Sequence, residues 1–181
     1  MKLKKISLIV MLLTFAFLVS GCSTTDVSNE TKESGSTTKQ QIIDDSFDDG
    51  GSGSLLCTQE VNAEEGIAVE LKYNIEYKRG NILSLRSISR VTSKDNAKLD
   101  IYEESYKKIA SNYKTLSEYK TSVIRDSNSV TYDTTINYDK IDVEKLLEIE
   151  GEEDNIIVNG KAKLTLWLDL AEKVGVVCEE V

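Results

Sequence analysis

The side chains that could carry acid–base catalysis in this chain are carboxylates, because the sequence contains no histidine. That absence excludes Ser-His-Asp and Cys-His catalysis and every histidine-ligated metal site. Acidic residues occur as the pair Glu64-Glu65 and as a run over residues 148–154. Acid–base catalysis needs two carboxylates held in a pocket with separated pKa values, whereas acidic loops are usually solvated. The sequence therefore predicts no catalytic residue, no enzyme activity and no cofactor.

A second acidic segment, DDSFDDGG at residues 44–51, invites comparison with a calcium-binding loop. A loop that begins at Asp45 would place Gly50 at the sixth position, as the EF-hand requires. Phe47 and Leu56 would then occupy the third and twelfth positions, where oxygen ligands are needed. The segment is therefore interpreted as a solvated acidic spacer, with weak divalent binding as the alternative, and no metal site is predicted.

Aromatic side chains are the other candidates for a binding site. Most of the eight tyrosines occupy apolar positions of predicted strands or of a predicted helix, which favours burial in a core. The alternative is an amphipathic groove between sheet and helix that takes a lipid, a glycan or a peptide. The residues assigned to such a groove are Tyr73, Tyr102, Tyr106 and the single tryptophan, Trp167.

The N-terminal sequence is typical of an export signal. A basic start, MKLKK, precedes the apolar run ISLIVMLLTFAFLV at residues 6–19, which is shorter than the roughly 20 residues of a spanning helix. Small residues follow at once, which favours a cleaved secretory signal over residues 1–21 rather than the alternative, an uncleaved membrane helix.

The end of this leader carries a specific motif. Val19, Ser20, Gly21 and Cys22 resemble the bacterial lipobox, in which a signal peptidase cuts before the cysteine. That resemblance implies a diacylglyceryl group on the sulfur of Cys22 and a further acyl chain on its new amino group. Two or three acyl chains anchor a protein stably, whereas one binds only marginally. The expected location is the cell membrane, with the domain on the extracytoplasmic side.

Residues 22–54 are rich in Ser, Thr, Gly and acids, and they are interpreted as the lipidated cysteine followed by a disordered tether. The whole chain has 22 basic and 31 acidic residues, a formal charge of −9. Loss of the leader with its three lysines lowers this charge to −12. Such a surface repels phosphate backbones and anionic headgroups, so we expect no nucleic-acid partner and membrane attachment only through lipid.

Residues 55–181 form a single predicted domain. Strict alternation in IAVELKYNIEYK (67–78) predicts a strand with one buried face, and residues 82–93, 119–126 and 129–138 are further strands. Apolar spacing of three and four predicts a helix that Ser93 caps and that extends through Tyr113. A short helix is predicted over Val143–Ile149 with Asp142 as its cap. The pattern of residues 163–175 fits either strand or helix, and helix is chosen because Gly175 follows it.

The predicted order is strand, strand, strand, helix, strand, strand, helix, helix. One face of the strands is polar, which indicates an α+β domain with an antiparallel sheet packed on one face by helices.

Two cysteines remain in this domain, Cys57 near its start and Cys178 near its end. Outside the membrane, such a pair favours a disulfide over the alternative of two buried thiols. No third or fourth soft ligand accompanies them, so a metal site is not expected.

Four stretches of the domain form a recognisable pattern: GIAVELKYNIEYKRGNILSL, the helix start at Ser93-Lys94, VTYDTTINYDKIDVEKL, and LAEKVG near the end. In these stretches the domain resembles the YehR-type bacterial lipoproteins, a family built around a domain of unknown function. The resemblance implies an exported lipoprotein with an α+β fold, and it brings no activity, catalytic residue or ligand.

Three functions follow from these features. The leading hypothesis is a membrane-anchored envelope lipoprotein with a non-enzymatic binding or interaction domain. The first alternative is a structural or stress-related envelope protein without a small-molecule ligand. The second is an envelope hydrolase that uses carboxylates.

Overall fold

The computed structural model describes residues 51–151 and 155–181. The predicted signal peptide, the lipobox with Cys22 and the tether as far as residue 50 lie outside the described residues. No helix within the described ranges is long and apolar enough to span a membrane.

Eight strands and three helices make up the described chain. The strands are β1 (Ser52–Glu64), β2 (Ile67–Lys78), β3 (Asn81–Ser93), β4 (Tyr119–Arg125), β5 (Ser129–Asn137), β6 (Ile157–Val158), β7 (Lys161–Ala162) and β8 (Val177–Glu180). The helices are α1 (Asn96–Asn112), α2 (Val143–Glu150) and α3 (Leu164–Lys173). β1 begins inside the segment that the sequence assigned to the tether.

Six of the strands form one sheet in the order β4-β5-β3-β2-β1-β8, in which every neighbouring pair is antiparallel. The short strands β6 and β7 pair separately as a small hairpin. All three helices follow the β1–β2–β3 meander along the chain. The predicted fold class, an α+β domain with an antiparallel sheet, is confirmed, while β8 and the β6–β7 hairpin were not predicted.

β2 forms as its alternation predicts. Its six odd-numbered residues are buried and its even-numbered residues face outwards. The face of β3 could not be assigned from its pattern because Ile82 and Leu85 differ in parity. The register of β2 and β3 explains why the parity changes. Ile82 lies opposite Tyr77 and Ser84 lies opposite Glu76, so Leu83 is an extra residue in a bulge. The bulge brings Ile82 and Leu85 to the same buried face.

The longest helix, α1, packs the predicted stripe onto β3, β4 and β5. Its buried residues are Leu99, Tyr102, Tyr106, Ile109 and Ala110. The predicted cap, Ser93, is wrong, because Asp95 accepts the hydrogen bond from the Ala97 amide and occupies the N-cap position. Ser93 belongs to β3, and its hydroxyl accepts from the Asp95 amide. Arg125 of β4 ties the strand to α1 through ion pairs with Asp100 and Glu103.

The two shorter helices complete the covered side of the sheet. Asp142 caps α2 through the Lys145 amide, as predicted. The ambiguous segment is helix α3, which buries Leu164, Trp167 and Ala171. Gly175 follows it with a φ of +82°, a conformation that glycine adopts without strain, and this ends the helix as expected.

These contacts define two sides of the sheet. The covered face carries the buried side chains of the strands and contacts the helices. The opposite side, called the open face here, has no helix against it in the described chain.

Candidate functional site

The cysteine pair closes one edge of the sheet. Cys57 and Cys178 are opposite each other in the β1–β8 register and form a disulfide, with their Cα atoms 4.0 Å apart. Cys57 is fully buried on the covered face. The structure therefore agrees with the disulfide that the extracytoplasmic location favoured, and it gives the bond a structural role at the edge strand.

The four residues assigned to a groove lie in the core as two pairs. Trp167 of α3 packs edge-on against Tyr73 of β2, with ring centroids 5.2 Å apart. Tyr102 and Tyr106 of α1 are neighbours at 6.2 Å. Each of the four side chains is less than 10 % exposed, so they have no open surface with which to line a groove. Their positions agree with the core interpretation of the aromatic residues.

Hydroxyl groups reach the core along with these rings. The Tyr106 hydroxyl is hydrogen bonded to Ser89 at 2.8 Å, and Ser87 is bonded to Thr134 at 2.6 Å. Burial raises the pKa of Tyr106 to about 12. The hydroxyl of Tyr73 has no hydrogen-bond partner among the described residues. Polar atoms are thus buried among the aromatic rings of the covered face.

A second group, called the tyrosine cluster here, lies beneath β4 and β5 and consists of Tyr113, Tyr119, Tyr132, Tyr138 and Glu150. Tyr113, just after α1, stacks on Tyr119 with ring centroids 4.1 Å apart. Tyr132 stacks on Tyr106 of α1 at 5.1 Å. Each tyrosine of the cluster is less than 7 % exposed. The cluster thus joins α1, two strands and α2 into one packed unit.

Glu150, the last residue of α2, is the one acid in this unit and is only 4 % exposed. Its carboxylate accepts hydrogen bonds from the Tyr113 hydroxyl and from Asn155 Nδ2, the latter at 3.4 Å. Burial raises the pKa of Glu150 to about 7, and the two hydrogen bonds offset only part of that rise. Burial and the nearby carboxylate also raise the pKa of Tyr113 and of Tyr138.

Sequence reasoning placed Glu150 in a solvated acidic run and so missed it. A signal was available, because Glu150 lies four residues after Leu146, the fully buried residue of α2. That spacing puts both side chains on the same side of a helix. The acidic residues before and after Glu150 made this helical spacing difficult to recognise in the sequence.

The open face presents a different chemistry. One cross-strand row runs Thr58, Lys72, Ile88, Asp133 and Ser122 from β1 to β4. Arg86 and Arg90 flank Ile88 along β3, and both are exposed. Arg86 donates to both carboxylate oxygens of Asp133, at 3.1 and 2.6 Å. Such a bidentate pair fixes the guanidinium plane on the sheet.

A second cross-strand row on the open face consists of charged residues. Glu60 of β1 and Glu70 of β2 are in register, and Arg90 of β3 lies opposite Glu70. The described chain contains no ion pair between Arg90 and a carboxylate within 4.0 Å. Arg90 therefore offers its guanidinium to solvent in the middle of the sheet.

A surface hollow of about 820 Å³ lies at the end of the sheet, where the β1–β2 turn meets the start of α1. Its polar groups are engaged in the fold. Asp95 caps α1, and Lys98 Nζ donates to the backbone oxygen of Glu65 at 3.1 Å. Across the part of the chain that the structure covers, no group of three or more His, Cys, Asp or Glu side chains could hold a metal ion.

Comparison with known proteins identifies related folds. No family model matches the chain, and no curated protein matches it. The NMR structure of the E. coli YehR protein is similar, with a TM-score of 0.52 and 12 % identity over 73 % of this chain and 94 % of that one. An NMR structure of a protein from Streptococcus pneumoniae TIGR4 has a TM-score of 0.43 and 13 % identity, covering 89 % of this chain and all of that one. The likeness to YehR shows a shared fold at low identity.

Proposed function

We propose that this chain is a lipid-anchored bacterial envelope protein whose domain binds a protein partner through the open face, without catalysis. The anchor rests on the sequence, where the lipobox-like residues 19–22 end an apolar run of signal-peptide length. The YehR-type family resemblance implies the same export route.

The observation that carries the binding role is the one-sided packing of the sheet. All three helices lie on the covered face, which leaves the other side of the six-stranded sheet without a helix in the described chain. Regular strands hold its side chains in fixed rows, so the surface is organised before a partner arrives. Preorganisation lowers the conformational entropy lost on binding.

The composition of the open face at β3 suits a protein interface. Arginine is enriched at interface cores, where it supplies both apolar contact and several hydrogen-bond donors. Arg86 and Arg90 lie on either side of the half-buried Ile88, and Thr131 and Thr135 follow on β5. Arg86 is already paired with Asp133, so by charge complementarity the partner presents a carboxylate to Arg90.

The alternatives have less support from the described residues. A carboxylate hydrolase needs two acids across a cleft, whereas Glu150 is the single acid among the buried residues of the described chain. A purely structural envelope protein would leave the open face unused, and the experiment below separates that possibility from the proposal.

A photo-crosslinking residue tests the interface in cells that produce the full chain. Placed at Thr131 on the open face, it should yield a discrete protein adduct, and the same adduct should be lost when Arg90→Glu is added. Placed at Lys108 on the exposed side of α1, it should yield no such adduct. Mass spectrometry of the adduct distinguishes a second copy of this chain from another protein. Absence of an adduct at Thr131, or an adduct indifferent to Arg90→Glu, contradicts the proposal.

A further inference from the structure

Glu150 is a buried carboxylate without a cationic partner among the described residues. It ends α2, where the partial negative charge of the helix carbonyls disfavours an anion. No lysine or arginine of the described chain forms an ion pair with it, and the chain has no histidine. A buried and unpaired carboxylate is costly in its charged form and stable in its neutral form.

The groups that face Glu150 come from each element packed around it. Tyr113 follows α1, Tyr119 begins β4, and Tyr138 follows β5. Burial raises the pKa of each of these three tyrosines, so all of them are neutral across the physiological range. Asn155, from the connection between α2 and β6, is uncharged. The charge in this unit therefore changes only when Glu150 itself gains or loses a proton.

The attachment of the α2 end depends on this residue. Gly151 leaves the helix with a φ of +91°, and its amide donates to the Leu147 oxygen. Asn155 donates two long hydrogen bonds to this helix end, to Glu150 Oε2 at 3.4 Å and to the Gly151 oxygen at 3.3 Å. Because both bonds are long, they hold the helix end only weakly, and burial of the Glu150 side chain is the stronger attachment.

We propose that Glu150 is a pH-sensitive latch: its neutral carboxyl group holds the end of α2 in the tyrosine cluster, and its ionisation releases that end to water. The residue leaves the cluster when charged because water solvates a carboxylate far better than tyrosine rings do. The structure shows the closed state. The release involves the last turn of α2 as far as Gly151, and the sheet itself stays intact.

The direction of the pH response follows from burial. Burial raises the pKa of Glu150 from its ordinary value of 4.5 to about 7, so the closed state is favoured at acidic pH. As the pH rises through 7, the closed state loses the advantage of the neutral form. A domain outside the cytoplasm meets the pH of its surroundings directly, which makes this range accessible.

Hydrogen–deuterium exchange of the full chain in detergent tests the latch. Protection of the last turn of α2 is compared between the wild type and Glu150→Gln, a neutral isostere, at the same pH, so that intrinsic exchange rates cancel. We expect the protection of the wild type relative to Glu150→Gln to fall by roughly tenfold or more between pH 5.5 and pH 8. Glu144→Gln, an exposed change on the same helix, should leave the pH dependence of the wild type unaltered.

An NMR titration of the wild type tests the latch without relying on the folding of the Glu150→Gln variant. The ¹³C resonance of the Glu150 carboxyl carbon should titrate near pH 7, well above the ordinary glutamate value of 4.5. A constant protection ratio from pH 5.5 to pH 8, or a Glu150 carboxyl resonance that titrates near 4.5, overturns the proposal.

Discussion

Cys57 and Cys178 are cross-strand neighbours in the β1–β8 pair although 121 residues separate them along the chain. β8 is only four residues long and pairs with β1 alone, so the disulfide is the covalent link that holds the C-terminal strand to the sheet. The bond therefore closes nearly the whole domain into one loop.

Removal of this bond should destabilise the domain strongly. The double change Cys57→Ala and Cys178→Ala is expected to lower the free energy of unfolding by about 2–4 kcal/mol, because the unfolded chain regains the entropy of a long loop. Urea denaturation followed by circular dichroism measures this loss. Reductant should reproduce it in the wild type and have no effect on the double variant. Equal midpoints for the oxidised and reduced wild type would falsify this structural role.

Glu150 should make global stability depend on pH. Its pKa is raised to about 7, so the stabilisation from its neutral form is fully present below about 4.5 and is lost as the pH rises through 7. We expect Glu150→Gln to gain up to about 3 kcal/mol of stability over the wild type between pH 4.5 and pH 8. Denaturation curves at both pH values give the difference. A stability difference that stays constant with pH contradicts this prediction.

The buried hydroxyls of Tyr73 and Tyr106 should respond in opposite directions to the same chemical change. Tyr73→Phe removes a hydroxyl without a partner among the described residues and should raise the free energy of unfolding by about 1 kcal/mol. Tyr106→Phe removes the hydrogen bond to Ser89 and should lower the free energy of unfolding by about 1 kcal/mol. Thermal and urea unfolding of the two variants test the pair, and losses of equal size in both would show that the Tyr73 hydroxyl is satisfied.

Substitutions at Trp167 test whether its ring packs in the core or lines an open groove. It is 3 % exposed and contacts Tyr73, so Trp167→Ala should cost about 3–5 kcal/mol of stability through the cavity it leaves. Trp167→Phe should restore most of that loss. Urea unfolding measures both. A Trp167→Ala variant with wild-type stability would place the ring in an open groove after all.

The fold was predictable where periodicity is strict. β2 and α1 show a single period over 12 and 17 residues, and their buried residues match the pattern. β8 escaped prediction because four residues that end in two acids carry no period, and its pairing with β1 involves contacts distant in the chain. The bulge at Leu83 likewise depends on the neighbouring strand rather than on the local sequence.

The candidate sites were less predictable for a related reason. Whether Tyr73 and Trp167 line a groove or fill a core depends on how closely α3 approaches the sheet, and apolar spacing does not encode that distance. Glu150 was hidden because a charged residue on an apolar helix face looks like part of the acidic run beside it. The ion pair of Arg86 with Asp133 became apparent only from the structure, because it joins residues that lie diagonally across the β3–β5 register, in which Asp133 is opposite Ile88.

The proposed function requires a lipid anchor at Cys22, and the decisive measurement is the intact mass of the protein purified from its own membranes. We expect a chain that begins at Cys22 and carries the added mass of a diacylglyceryl group, and we expect Cys22→Ala to remove the protein from the membrane fraction. A chain that retains residues 1–21, a mature chain without lipid, or a Cys22→Ala variant that stays in the membrane fraction would show that Cys22 is not the anchor.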